Sequence, residues 1–286
     1  MPDAHLPGPV ADALVAAPAG SRLTVPAAGI EWSALAWGDP SARPLLLIHG
    51  VTSSAAAWWR LGPALAAAGR RVVAMDLPGH GRTGQWRGRH RFRDTAAEVV
   101  AFAEAAGLAM GDLQVVGHSW GAMTAAALPA AGLRPATLVL LDPPALDEAT
   151  MSALIADADV QTYTELEAAR AAVRAANPTW SDGDVDAKAE ALTELDAEAA
   201  RAVLMDNGDW DGGLADLADP AAAGVEVWVV RADPDAGGYL PDAWVPAFEA
   251  RVGAARFLTI EGSPHSPQRT HPIETTLAIL HALHED

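Results

Sequence analysis

With 286 residues the chain is long enough for one large domain, or a domain carrying an insert, and can bury roughly three quarters of its unfolded surface. Apolar residues make up 50% and charged residues 20%, which excludes a disordered or fibrous chain. The formal charge of −18 argues against nucleic acid or an anionic membrane as the main partner, and the absence of cysteine excludes disulfides, thiolate metal sites and a cysteine nucleophile.

Along the chain, Met1 to Gly20 lacks a basic n-region and does not read as a secretory signal. No apolar run reaches the ~18 residues of a membrane span, so a soluble cytoplasmic protein is expected. Arg22 to Val25 and Glu31 to Trp37 collect β-formers around a Pro/Gly turn and predict an antiparallel hairpin at a sheet edge. Leu45 to Ile48 and Arg71 to Met75 are short, nearly unbroken apolar runs, the pattern of strands buried on both faces of a parallel sheet. Between them Ala55 to Gly69 has helix composition and ends on glycine, completing a β-α-β unit. The alternation continues with a helix from Asp94 to Ala106, a strand from Leu113 to Val116, a helix from Ser119 to Ala131 and a strand from Ala136 to Leu141. Late in the chain come a strand from Val225 to Val230, a helix around Ala243 to Arg251, a strand from Arg256 to Ile260 and a helix from Pro272 to His284.

The intervening segment, Leu146 to Pro220, holds 18 acidic and 4 basic residues. It is helix-favouring, broken at Asn177-Pro178 and Gly212-Gly213, and is expected to lie over the carboxyl edge of the sheet. Lys188, the only lysine, sits in it with no glycine-rich loop before it, which argues against Schiff-base or phosphate-loop chemistry. Arg82, Arg87, Arg89, Arg91 and Arg93 form a basic run that reads either as a solvated loop or, more specifically, as a surface that pairs with this acidic segment and helps to seat it.

Gly117-His118-Ser119-Trp120-Gly121 follows a strand and opens an alanine-rich helix. This is the setting of a G-x-S-x-G nucleophile elbow, whose tight turn lifts the serine hydroxyl clear of the sheet. A serine hydroxyl needs a base to take its proton. Of the nine histidines, His265 in Glu261-Gly262-Ser263-Pro264-His265-Ser266 lies on a loop between the last strand and the last helix, where it reaches the sheet edge. His271, His281 and His284 read as boundary or surface residues of that helix. The base in turn needs a carboxylate, for which Asp235 is favoured, then Asp233, both after the strand Val225 to Val230, and then Asp142 after the strand Ala136 to Leu141. The backbone N–H groups of Trp120, next to the nucleophile, and of Val51, after His49-Gly50, fit an oxyanion hole. Asp76, His80 and His49 lack metal-ligand spacing, and neither a metal nor a cofactor is expected.

In this order the chain resembles the α/β-hydrolase family. The matching pieces are His49-Gly50, Asp76-Leu77-Pro78-Gly79-His80-Gly81, the Ser119 elbow, an acid after the strand Val225 to Val230, and Gly262 to His265. The resemblance implies an eight-stranded, mostly parallel sheet flanked by helices, a serine-histidine-acid triad, and a mainly helical cap over 146–220 between core parts 1–145 and 221–286. Family members often carry glycine where Ala232 stands, with the acid three positions later; that spacing selects Asp235, while Ala232 leaves Asp233 open. The serine nucleophile and a single cap tyrosine, Tyr163, separate the chain from the epoxide-hydrolase branch, and the nucleophile alone separates it from haloalkane dehalogenases.

Leu154, Tyr163, Leu166, Val173, Trp180, Leu195, Leu204 and Trp210 are expected mainly to pack the cap, some of them lining a pocket. An apolar cap excludes water and favours a small uncharged or apolar ester-like substrate. The expected function is hydrolysis of a small carboxylic ester, thioester or lactone through an acyl-enzyme. The alternatives are carbon–carbon bond hydrolysis of a diketone-like ring-fission product by the same triad, and a hydrolase-fold ligand receptor with vestigial turnover.

Overall fold

Leu45, Leu46, Leu47 and Ile48 have no solvent exposure at all, and each such aliphatic side chain contributes roughly 1.5–3 kcal/mol by leaving water. Burial on both faces puts this run at the centre of a sheet rather than at its edge. The computed structural model describes residues 5–84, 88–109, 111–155 and 161–284. Its main sheet contains β1 (Ser21–Ala27), β2 (Ile30–Trp37), β3 (Arg43–Ile48), β4 (Arg70–Met75), β5 (Gln114–His118) and β6 (Thr137–Leu141). Two short strands, β7 (Ala145–Leu146) and β8 (Trp210–Asp211), pair with each other, and β9 (Glu226–Ala232) and β10 (Phe257–Ile260) complete the main sheet.

The eight strands run in the order β1-β2-β4-β3-β5-β6-β9-β10. β1 and β2 form the antiparallel edge hairpin, β2 is also antiparallel to β4, and every other pair is parallel. This is an α/β fold whose mostly parallel sheet is flanked by helices. One face packs the helices Phe92–Ala105 and Trp120–Ala127 through Val99, Phe102 and Met123, and the other packs Leu61–Ala67 and Pro272–Ala282 through Leu65 and Ile279.

Local signals account for most element boundaries. The region from Ala55 to Gly69 divides into a 3-10 turn, Ala55–Trp58, capped by Ser54, and the helix Leu61–Ala67. The helix Gly8–Ala16 lies outside the sequence expectation; it anchors Val10 and Leu14 in the core cluster with Trp37. Proline at its start and a left-handed Ala17 at its end are weak signals in so short a segment.

Residues 148–217 supply helices between β7 and β9: Glu148–Ile155, Leu166–Ala176, Asp182–Thr193, Ala197–Met205 and Leu214–Leu217. They meet the core where the loops after β3 and β4 emerge. The carboxylate of Asp184 accepts hydrogen bonds from Trp59 Nε1 at 3.0 Å and from Arg60 Nη2, and the Asp196 N–H donates to the Gly79 carbonyl. Charge pairing between the basic run and this segment occurs through Arg82 to Glu194, and through Arg93 to Asp216 and Asp219. Arg89 and Arg91 are exposed, and Arg87 lies outside the described residues. Among the described residues, no helix is long and apolar enough to cross a membrane.

Candidate active site

The elbow is built by close approach of backbone. Ser119 holds a left-handed φ of 55°, a conformation that costs a non-glycine residue of order 1–3 kcal/mol and persists only where the surroundings impose it. A Cβ on Gly117 would fall 2.2 Å from the Gly121 carbonyl oxygen, and one on Gly121 would fall 2.4 Å from the Ile48 carbonyl oxygen. Both glycines are therefore steric requirements of the turn. The Ser119 N–H donates to the Leu141 carbonyl, tying the elbow to the carboxyl end of β6.

The Ser119 hydroxyl lies 2.9 Å from His265 Nε2 and donates to it. On the other side of the ring, His265 Nδ1 donates to Asp142 Oδ2 at 2.6 Å. The structure thus brings together two groups separated by 146 positions of chain, and a third 123 positions from His265. The carboxylate that meets the imidazole is Asp142 and not the favoured Asp235. Asp235 is exposed to solvent. Asp233 is committed elsewhere: its carboxylate accepts the N–H groups of Gly262 at 2.8 Å and Asp235 at 2.9 Å, fastening the loop after β9 to the loop that carries His265. The reason is topological. β6 and β9 are parallel neighbours with Leu141 opposite Val230, so the loops that follow them emerge side by side and either can reach the imidazole.

Asp142 is fully buried, with φ at 41°. Burial raises its pKa, but the hydrogen bond from His265 and the N–H donors of Tyr239 and Ala232 outweigh that and hold the carboxyl below its ordinary value. The His265 ring is flanked by Tyr239, stacked with a centroid separation of 4.0 Å, and by His118 at 4.9 Å. His118 Nε2 donates to the His265 carbonyl at 2.7 Å, and its Nδ1 accepts from the Gln268 amide at 3.3 Å.

Of the two residues expected to supply oxyanion donors, Trp120 opens the helix Trp120–Ala127, where the first N–H groups have no acceptor within the helix. Its side chain is buried against His49 and His80, so only its backbone is available for chemistry. Val51 follows Gly50, whose close approach to the Ser119 Cβ would not admit a Cβ of its own (2.8 Å). His49 Nδ1 donates to the Gly50 carbonyl at 2.7 Å and so holds the Gly50–Val51 peptide from its carbonyl side.

Asp76, His49 and His80 brace the neighbouring turns. Asp76 accepts the Ala55 and Arg82 N–H groups, His49 Nε2 accepts the Leu77 N–H, and His80 Nδ1 donates to the Pro78 carbonyl. Among the described residues no cluster of metal-ligating side chains occurs. Burial lowers the pKa of His49 to about 4, of His80 to about 3 and of His118 to about 3. The unfolded chain therefore binds more protons than the folded one as pH falls below about 6.5, and stability rises with pH through that window. Each histidine contributes a slope of ~1.4 kcal/mol per pH unit between its unfolded and folded values. Urea unfolding midpoints measured at pH 7, 6 and 5 are expected to fall steeply; a flat profile would contradict the burial of these rings.

Ser119 and His265 open into a cavity of about 260 Å³. The segment 148–217 contributes Leu154, Trp180, Leu204 and Trp210 to its walls, whereas Val173 and Leu195 pack with Val185 and Leu192 in a separate small core. The polar wall includes Lys188 and Arg269, both buried. In the sequence Lys188 stands in a polar stretch. The signal that places it inward is its spacing from Asp184, Val185 and Leu192, all on the buried face of the helix Asp182–Thr193.

Elbow, sheet order and hydrogen-bonded chain together define a hydrolase of the α/β type. Residues 43–209 match the family model for the alpha/beta hydrolase fold, and the chain belongs to that family. The lipase LipV of Mycobacterium tuberculosis is 29% identical over 260 residues, spanning 85% of this chain and 94% of that protein. Among solved structures, E-2-(acetamidomethylene)succinate hydrolase superposes with a TM-score of 0.76 at 21% identity, covering 92% of this chain and 99% of the other. The thioesterase domain from the curacin biosynthetic pathway gives 0.70 at 21% identity, covering 93% and 99%. At such identities the likeness of the two structures is one of fold.

Proposed function

We propose that this hydrolase cleaves a carboxylic ester or thioester through an acyl-enzyme on Ser119. The observation that carries this reading is the unbroken chain of hydrogen bonds from Ser119 Oγ through His265 to Asp142, opening into a cavity one part of whose wall is apolar. Ser119 attacks the substrate carbonyl as its proton passes to His265 Nε2. The imidazolium is stabilised by Asp142, and the oxyanion by the N–H groups of Val51 and Trp120. His265 then protonates the leaving alcohol or thiol, and a water activated by the same imidazole releases the acid.

Residues 146–220 act in this reading as a cap whose aliphatic and indole side chains receive an apolar acyl chain and exclude water. The lipase name of one relative supports an ester-like substrate class. A fluorophosphonate probe tests the assignment directly: one equivalent is expected on Ser119 of the native protein, and none after unfolding. Labelling elsewhere, or none at all, would overturn it.

A further inference from the structure

We infer that Lys188, reaching from the helix Asp182–Thr193 to Thr52, is a positioning residue that sets the oxyanion loop and makes its geometry depend on the seating of that helix. The inference rests on the proposed acyl-transfer reading.

Thr52 follows Val51 directly and has a φ of 59°. For a β-branched residue the left-handed region is a genuine outlier, stable only when neighbouring groups hold it there. The core fixes the loop on either side of this residue. His49 holds the Gly50 carbonyl, and Asp76 Oδ1 accepts the Ala55 N–H at 2.7 Å. Between those points Thr52 is grasped from the opposite direction. Lys188 Nζ donates to the Thr52 hydroxyl at 2.6 Å and to the Thr52 carbonyl at 3.1 Å. Only 7% of Lys188 is exposed, so the two charge-assisted bonds form away from bulk solvent, where they are strongest.

The ammonium comes from a helix that is anchored to the same part of the core. Arg269 Nη1 donates to the Asp184 carbonyl at 2.9 Å, and the Asp184 side chain receives Trp59 and Arg60. With this helix seated, the loop is held from both sides and Val51 keeps its place in the cavity wall, where the proposed mechanism uses its N–H. With the helix displaced, Thr52 loses its outer constraint and leaves the left-handed region. Displacement of about 1 Å at a preorganised donor costs up to about 100-fold in rate.

The single lysine and the absence of cysteine make the test clean. The Lys188→Cys variant carries one thiol, and alkylation with 2-bromoethylamine rebuilds a side chain with an ammonium at nearly the original reach. The variant is expected to hydrolyse a short uncharged p-nitrophenyl ester with kcat lowered about 10- to 100-fold and KM unchanged, and aminoethylation should restore most of the loss. Lys188→Arg should retain more activity than Lys188→Gln. A trifluoromethyl ketone, which becomes an oxyanion on Ser119, should bind the unalkylated variant more weakly by the same factor.

Undiminished kcat in the folded variant would overturn the inference. So would a loss confined to KM, which marks a substrate contact, or failure of aminoethylation to restore turnover in protein whose circular dichroism is native. Each of these leaves fluorophosphonate labelling of wild-type Ser119 intact. Absence of that labelling would instead remove the acyl-transfer reading, and the inference with it.

Discussion

Ser119→Ala is expected to lower ester turnover about 10⁶-fold while leaving the protein folded, by analogy with other serine triads. The magnitude follows from how few substitutes the site contains. The chain has no cysteine, and Lys188 Nζ is engaged by Thr52, so no second nucleophile stands ready for acyl transfer. In the proposed mechanism the substitution leaves the cavity and the Val51 and Trp120 amides to bind and polarise a carbonyl, which in related chemistry gives a residual 10³–10⁴-fold acceleration over water. The elbow does not need the hydroxyl for its shape, because that shape comes from the contacts at Gly117 and Gly121 and from the Ser119 N–H bond to Leu141. Steady-state assays on p-nitrophenyl esters, beside a thermal melt, check both parts. Turnover within 100-fold of wild type would remove Ser119 from the mechanism.

Asp142→Asn is expected to lower kcat about 10⁴-fold, whereas Asp235→Asn should leave it unchanged. Asp142 takes three hydrogen bonds, from His265 Nδ1 and from the N–H groups of Ala232 and Tyr239, and every donor points at a carboxylate oxygen. An amide offers one acceptor oxygen and turns an NH₂ toward donors that cannot accept. If its oxygen faces Ala232, its NH₂ faces Nδ1, and the imidazole adopts the tautomer that carries its proton on Nε2 and cannot take one from Ser119. Asp235 is exposed, and its replacement changes only the solvated end of its loop. Parallel kcat measurements on the two variants separate the assignments, and the reverse ranking would restore Asp235 as the acid. Because the Asp142 carboxyl lies below its ordinary value, its ionised form contributes stability above the unfolded pKa of about 3.9, and that contribution disappears as pH falls through the folded value.

Features written in contiguous residues were legible before the chain was folded. Short apolar runs announced β3 and β4, the continuing alternation of strand and helix patterns announced β5 and β6, and the glycines two positions either side of Ser119 marked the elbow, because burial and contacts within a few residues decide each of them. The loop Gly262 to His265 was picked out by its place after the last strand, and the structure sets its imidazole against Ser119. Less of the remaining site could be read. Asp142 and Asp235 both follow strands and both carry a carboxylate; a family spacing selected Asp235, whereas the structure sets Asp142 against the imidazole across the β6–β9 pair. His118 and Gln268, which bear on the His265 loop, carry no sequence pattern beyond their proximity to Ser119 and His265.

The amino-acid order by itself therefore determined the class of fold, the turn that presents Ser119 and the loop that brings His265, since each depends on backbone geometry and side-chain burial over short stretches. Tertiary structure alone decided which carboxylate completes the hydrogen-bonded chain and where the only lysine points. Those choices depend on which loops leave adjacent strands together and on how an inserted helix docks, and the groups concerned are separated by 123 positions for Asp142 and His265 and 136 for Thr52 and Lys188. Contacts over such distances are selected by packing of the whole chain, where one buried hydrogen bond or apolar contact competes with many alternatives that look alike in sequence.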